Sequence, residues 1–237
     1  MHPTDIPQYA VDNALKRRGT VHTITNVNPA KTALVVIDMQ NVFMKEGAPA
    51  EVPVAREIVP NINRLAQVIR NTGGRVIWVQ MTHTEENTGS WTVFYKDLNP
   101  PERASIMLSW MSPGSEGQAL WPDLDTREDD LYVEKNRYSA FMQGSSNIVE
   151  VMEAHGLDTA IITGTVTNVC CESSARDAMM LNIKPIMVSD GNAASTDDEH
   201  LATMASMIRA FGDVYTTDEM ISLMEAGTGA KVQNAAE

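Results

Sequence analysis

Along the chain, short unbroken apolar runs alternate with longer stretches in which apolar residues recur every three or four positions. TALVVID (32–38) is continuous and carries two adjacent valines, the pattern of a strand buried on both faces rather than one with a wet side. From Ile58 the apolar positions Ile62, Leu65, Ala66 and Ile69 keep helical spacing, and Gly73-Gly74 supplies a stop. RVIWVQ (75–80) reads as a second strand and DLYVEK (130–135) as a third. Ser145, Ser146 or Asn147 can cap a helix through Ile148, Val149, Val151 and Met152 that ends at Gly156. TAIITG (159–164) is the fourth strand, followed by a helix from near Cys170 to Asn182. KPIMVSD (184–190), a helix around 199–212, DVYTT (213–217) and a closing helix around DEMISLM complete the series.

Six apolar runs separated mostly by helices predict an α/β protein: a three-layer, Rossmann-like fold with a six-stranded parallel sheet, right-handed crossovers and helices on both faces. Residues 1–30 are polar, hold Pro3, Pro7 and Pro29 and keep no sustained period, so they read as an arm lying on the domain or on a neighbouring subunit. Residues 31–226 form the single domain, and 227–237 read as a flexible tail. Inside the domain, residues 82–128 are long and polar, broken by Pro100, Pro101, Pro113, Gly114 and Pro122. They also hold Trp91, Phe94, Tyr95, Trp110 and Trp121, so this insert lids a site or buries its rings between subunits of a homo-oligomer.

Composition narrows the partners. No apolar run approaches the roughly 20 residues that span a bilayer, and no apolar segment follows Lys16, Arg17 and Arg18 as in a secretion signal, so a cytoplasmic protein with no membrane role is expected. A net charge of −13 argues against nucleic acid, whose phosphates need clustered cations. Cys170 and Cys171 are adjacent, too close for a normal disulfide, and the five histidines are scattered, which leaves no structural zinc set.

In an open parallel sheet, ligands bind outside the carboxyl ends of the strands. Asp38 ends the first strand, Lys135 ends the third and Cys170 follows the fourth by a short turn, so the three can converge at one edge. The turn GTVTN places Cys170 near a helix N-terminus, where unpaired N–H groups and a nearby cation would favour the thiolate. Cys171, rotated by about 100° along the helix, should point into the core.

ALVVIDMQNVF, VEKNRYSAF and GTVTNVCCESSARDA, in this order and spacing, resemble the isochorismatase-like cysteine hydrolases over roughly residues 30–225. The resemblance implies a catalytic triad of Asp38, Lys135 and Cys170, a cis peptide at Thr165-Val166, and an oxyanion hole made by the backbone N–H groups of Val166 and Cys170. It further implies a small-molecule substrate and no cofactor. Nicotinamidases of this family carry a metal cluster after the second strand; only His83 stands there, so no metal is expected. KNRYSAF and TNVC look most like the branch acting on ureidoacrylate and carbamoyl amides, which points to C–N bond hydrolysis of a ureidoacrylate, biuret-like or N-carbamoyl amino acid substrate. Candidate substrate-binding residues are Gln80, Glu85, Trp91, Tyr95, Arg137, Tyr138 and Asn168, with Arg137 able to fork onto a carboxylate. The alternatives are an isochorismatase-type vinyl-ether hydrolase in which Cys170 is incidental, and a non-catalytic thiol sensor.

Overall fold

The computed structural model describes residues 1–234, with side chains described through residue 228. Its strands are β1 (Thr32–Ile37), β2 (Arg75–Met81), β3 (Leu131–Lys135), β4 (Thr159–Thr165), β5 (Lys184–Ala193) and β6 (Asp213–Tyr215). They form one six-stranded sheet in the order β3-β2-β1-β4-β5-β6, every neighbouring pair parallel. The helices are α1 (Gln8–Arg18), the single turn α2 (Asn41–Met44), α3 (Val59–Thr72), α4 (Glu85–Ser90), α5 (Pro101–Met111), α6 (Ile148–Ala154), α7 (Glu172–Met180), α8 (Asp197–Ser206) and α9 (Thr217–Asn234).

Strand periodicity divides the core in two. Val35, Ile37, Ile77, Val79, Val133 and Ile162 face a layer holding Met152 of α6, Ala175 and Ala178 of α7 and Met204 of α8. Their neighbours Leu34, Val36, Val76, Trp78, Ile161 and Ile186 face Ile62, Leu65, Ala66 and Ile69 of α3 and Met220 and Met224 of α9. All six residues of β1 are buried, so the continuous apolar run is the signature of a central strand covered on both sides.

Several boundaries differ from the sequence reading. The first 30 residues are more than an arm: they contain α1, which packs on the chain's own domain with only Ala10 and Ala14 as its buried contacts. Two alanines four apart let a helix approach closely but give almost no hydrophobic signal. The insert likewise holds α4 and α5, joined by a turn at Val93–Leu98. β5 runs three residues past Asp190, because β4 and β5 shift register between Ile162 and Gly164 while the Asn192 amide donates to the carbonyls of Ile162 and Val188. α9 continues through Asn234 where a tail was expected from residue 227, and residues 235–237 lie outside the described residues. Gly227 lets α9 pack closely on the chain before β1: a Cβ there would stand 2.3 Å from the Val27 carbonyl oxygen.

The chain leaves β1 for β2 and β3 on one side, then returns to β4 on the other, so the carboxyl ends of β1 and β4 flank the switch point of the sheet. The two strands approach very closely there. Gly164 has φ +114°, and a Cβ on it would lie 2.1 Å from the Ile37 carbonyl oxygen. Gly164→Ala should therefore destabilise the protein by on the order of 3–5 kcal/mol, combining a forbidden backbone conformation with a clash against fixed backbone. Urea unfolding of the purified variant measures this, and a midpoint equal to the parent's would contradict the close approach.

Candidate active site

The three charged or reactive side chains at the strand ends meet. Asp38 leaves β1 with φ +54°, a left-handed conformation that aspartate tolerates, and its N–H donates to the Val79 carbonyl at 2.9 Å. Lys135, the last residue of β3, is paired in register with Met81 and spans β2 to place Nζ 2.8 Å from Asp38 Oδ2. Both side chains are fully excluded from solvent. Beyond this ion pair neither Asp38 oxygen is engaged, so both keep hydrogen-bonding capacity. Lys135 Nζ also donates to the Arg137 carbonyl at 3.1 Å. Gln40 braces this corner by accepting from the Met81 N–H at 2.7 Å and donating to the Met81 carbonyl at 3.0 Å.

Cys170 arrives from β4. The peptide bond between Thr165 and Val166 is cis, and Thr167–Cys171 forms a wide turn in which the Cys171 N–H donates to the Val166 carbonyl five residues back. The Cys170 thiol is buried beside Asp38 and Lys135, near enough for both charges to act on it. Cys171 turns away into the core, with Sγ 4.0 Å from the Thr163 carbonyl.

The electrostatics correct one expectation. Burial pushes the Cys170 thiol well above its ordinary value; Lys135 pulls it down, but Asp38 pushes it up again. The resting sulfur is therefore a neutral thiol, because the cost of burying a second anion exceeds what the helix start and one ammonium return. Burial also raises Asp38, against the pull of Lys135 and the Cys170 thiol. For Lys135, burial opposes the charge, but Asp38 and Cys170 outweigh it and hold its pKa above the usual lysine value. Lys135 thus sits between a carboxyl group and a thiol, both of which burial pushes toward their protonated forms.

The candidate substrate-binding residues divide. Trp91 and Tyr138 meet edge-on at 5.0 Å and line a cavity of about 740 Å³ with Ser139, Met142 and Ser173. Tyr95 is buried with its hydroxyl unpartnered, and burial takes its pKa up to about 12. Asn168, in the cysteine turn, has an unpartnered buried Oδ1. Arg137 is already engaged: its guanidinium donates to Asn136 O and Oδ1 and to Ser90 O and Oγ, and sits 5.1 Å over the Trp91 ring. Gln80 is tied to the Gln118 carbonyl at 2.9 Å. Glu85 is exposed in the first turn of α4, because the Thr84–Asn87 capping box sets the helix phase so that Glu86 instead lines a second cavity of about 490 Å³ reaching Lys135.

His83 stands after the second strand, where the sequence places the pocket wall and offers too few neighbours for a metal site. It is fully buried two positions beyond β2, neither ring nitrogen has a partner, and the rings of Trp91, Phe94 and Tyr95 stand within 6.0 Å of it. Burial, then Lys135 and Arg137, lower its pKa to about 4, so it is neutral at pH 7. Its place just past a strand end was the available signal, but its lack of partners depends on how the insert folds. Among the described residues, no group of three His, Cys, Asp or Glu side chains is placed to hold a metal ion.

Residues 32–219 match the isochorismatase domain family. A protein of Arabidopsis thaliana described as a probable inactive nicotinamidase is 32% identical over 178 residues, covering 74% of this chain and 87% of that one. The ureidoacrylate amidohydrolase RutB of Agrobacterium fabrum is 27% identical over 219 residues, covering 84% and 92%. Among solved structures, a cysteine hydrolase from Pseudomonas syringae pv. phaseolicola superposes with a TM-score of 0.75 at 31% identity, covering 85% of this chain and 95% of that one.

Two measurements follow from the charges. Alkylation of Cys170 by iodoacetamide, located by peptide mass spectrometry, should still be accelerating above pH 9, and Asp38→Asn should shift that rise to lower pH by removing an opposing charge. A plateau at or below pH 8.5 in the parent would contradict the neutral thiol. The His83 ring should titrate near pH 4 by NMR against about 6.5 in the unfolded chain. Its folded pKa is depressed, so its contribution to stability is complete above about pH 6.5 and is lost as pH falls through about 4.

Proposed function

The chain belongs to the isochorismatase family, and from that premise we propose that it is a cysteine-dependent amidohydrolase cleaving the C–N bond of a small ureido or carbamoyl amide. The observation that carries this reading is the meeting of Cys170, Asp38 and Lys135 in one dry, charge-balanced group at the switch point of the sheet. The name of the Agrobacterium relative, a ureidoacrylate amidohydrolase, supports the substrate class, and that of the Pseudomonas structure supports the nucleophile.

A buried thiol is a weak nucleophile until its proton leaves, and Asp38, its own pKa raised, is the base within reach. As sulfur bonds to the substrate carbonyl carbon, the thiol proton passes to Asp38 and the negative charge moves onto the carbonyl oxygen. The backbone N–H groups of Val166 and Cys170 receive that oxygen; a donor of this kind is worth a factor of about 10² to 10³ in rate. Collapse of the adduct breaks the C–N bond while Asp38 returns the proton to the departing nitrogen, leaving a thioester. Asp38, ionised again, takes a proton from an attacking water, the S–C bond breaks, and the sulfur is reprotonated. Lys135 stays charged throughout and balances whichever neighbour is anionic.

Trp91 and Tyr138 would wall the approach of a small planar amide, and Asn168, in the cysteine turn itself, would offer its unpartnered Oδ1. Arg137 can bind a substrate carboxylate only by giving up its bonds to Ser90.

Ammonia release from a panel of ureido, carbamoyl and simple carboxamide substrates tests the reading. Cys170→Ala should lower the rate by about 10³-fold or more, as should Asp38→Asn, whereas Cys171→Ala should stay within a few-fold of the parent. Undiminished turnover in Cys170→Ala would remove the nucleophile assignment and favour vinyl-ether cleavage with Asp38 as proton donor.

A further inference from the structure

A second buried cluster lies directly behind the cysteine turn and takes no part in the chemistry above. His200 of α8 is fully buried, with Nδ1 3.2 Å from the hydroxyl of Thr167, the residue between Val166 and the rest of the turn. Its Nε2 has no partner. One face of the ring is covered by His2 of the N-terminal arm, stacked with centroids 4.6 Å apart and planes 21° from parallel.

His2 is itself fixed on both sides. Its Nε2 lies 3.0 Å from the Ala194 nitrogen and 3.1 Å from the Ala194 carbonyl oxygen, and its Nδ1 lies 2.6 Å from Asp197 Oδ1 in the first turn of α8. Ala194 directly follows β5, whose last residue, Ala193, accepts from the Thr165 hydroxyl at 3.2 Å. The end of β5, the start of α8 and the first residues of the chain thus close around the turn that carries Val166 and Cys170.

The turn needs such an anchor. No side-chain cap holds its start, and Asn168 Oδ1 is unpartnered. The Thr167 hydroxyl bond to His200 is a buried polar tie from the middle of the turn to a rigid helix, and the stacked His2 ring blocks His200 from rotating away.

We propose that His200 is a positioning residue for the cysteine turn, acting through the Thr167 hydroxyl, and that the N-terminal arm completes this support by stacking His2 on its ring. The proposal rests on Cys170 being the nucleophile. The arm then bears on turnover from about 165 residues away in sequence without touching the substrate.

Four single variants of the full chain test it: His200→Phe keeps a stacked ring but loses the bond, Thr167→Val loses the hydroxyl, Thr167→Ser keeps it, and His2→Ala uncovers His200. His200→Phe and Thr167→Val should each lower kcat by about 10- to 100-fold with KM within about twofold, since small misplacement of a reacting atom costs rates of this order. Thr167→Ser should restore most of the loss, and His2→Ala should show a smaller loss of the same kind. The double variant His200→Phe/Thr167→Val should match the two single ones rather than multiply them, because both remove the same interaction.

Cys170 alkylation gives a readout that needs no substrate. It should rise about threefold or more in His200→Phe and Thr167→Val as the turn loosens, with Cys171 still unmodified, which separates loosening from unfolding. Unchanged alkylation in both variants overturns the proposal, as does a multiplicative double variant or a Thr167→Ser as impaired as Thr167→Val. If the parent turns over but Cys170→Ala does too, the nucleophile assignment fails instead, and the two failures are told apart.

Discussion

A lysine and an aspartate 2.8 Å apart with no exposure to solvent constrain everything else in this molecule. Two charges in such a place are tolerated only as a pair; removing one partner from a buried pair costs about 3–5 kcal/mol. The same desolvation forbids a second anion, which is why the neighbouring thiol stays protonated. In the proposed mechanism, proton transfer from Cys170 to Asp38 would leave the total unchanged: one cation and one anion before, one cation and one anion after. Chemistry that only exchanges which neighbour is negative is open to this site, whereas any step that builds net charge is penalised.

The sheet supplies the geometry that makes the exchange possible. β1 and β4 are adjacent and stay paired to their carboxyl ends, where the connections leave toward opposite sides of the sheet, bringing Asp38 and the cysteine turn to one edge, while Lys135 comes from β3 with β2 between. A long, flexible side chain is needed to span that strand, and lysine's four-carbon stem, packed beside Met81, does so. Gly164 sets the spacing, because only a residue without Cβ lets β4 come this close to the Ile37 carbonyl.

How much of this could be read from the sequence follows from which interactions are local. The strands were legible because both faces are buried and the apolar runs are unbroken, and Asp38 and Lys135 were legible because each interrupts such a run at its end. The separation of Cys170 from Cys171 followed from helical rotation alone. The acidity of Cys170 was not legible: its surroundings come from β1, β3 and the covering insert, and their desolvation outweighs the helix-start effect that a linear reading can see. Arg137 read as a free cation, yet it is bound by Ser90, some 47 residues away. α1 escaped because Ala10 and Ala14 carry its packing, and small residues leave little trace in hydrophobic periodicity.

The two halves of the insert are held very differently. Residues 117–121 are stitched to the segment after β1: Asn41 and Val42 donate to the carbonyls of Ala119 and Gly117, Trp121 donates to Met39, and Gln40 donates to Gln118. Farther back, Met107 and Met111 of α5 are sunk in the core. The stretch around α4 hangs instead on its own aromatic cluster and on the Arg137 bonds to Ser90, which stand between the two cavities. Sequence change around α4 would therefore break few ties to the sheet, whereas the same change at residues 117–121 would unpick the backbone bonds that hold the segment carrying Gln40.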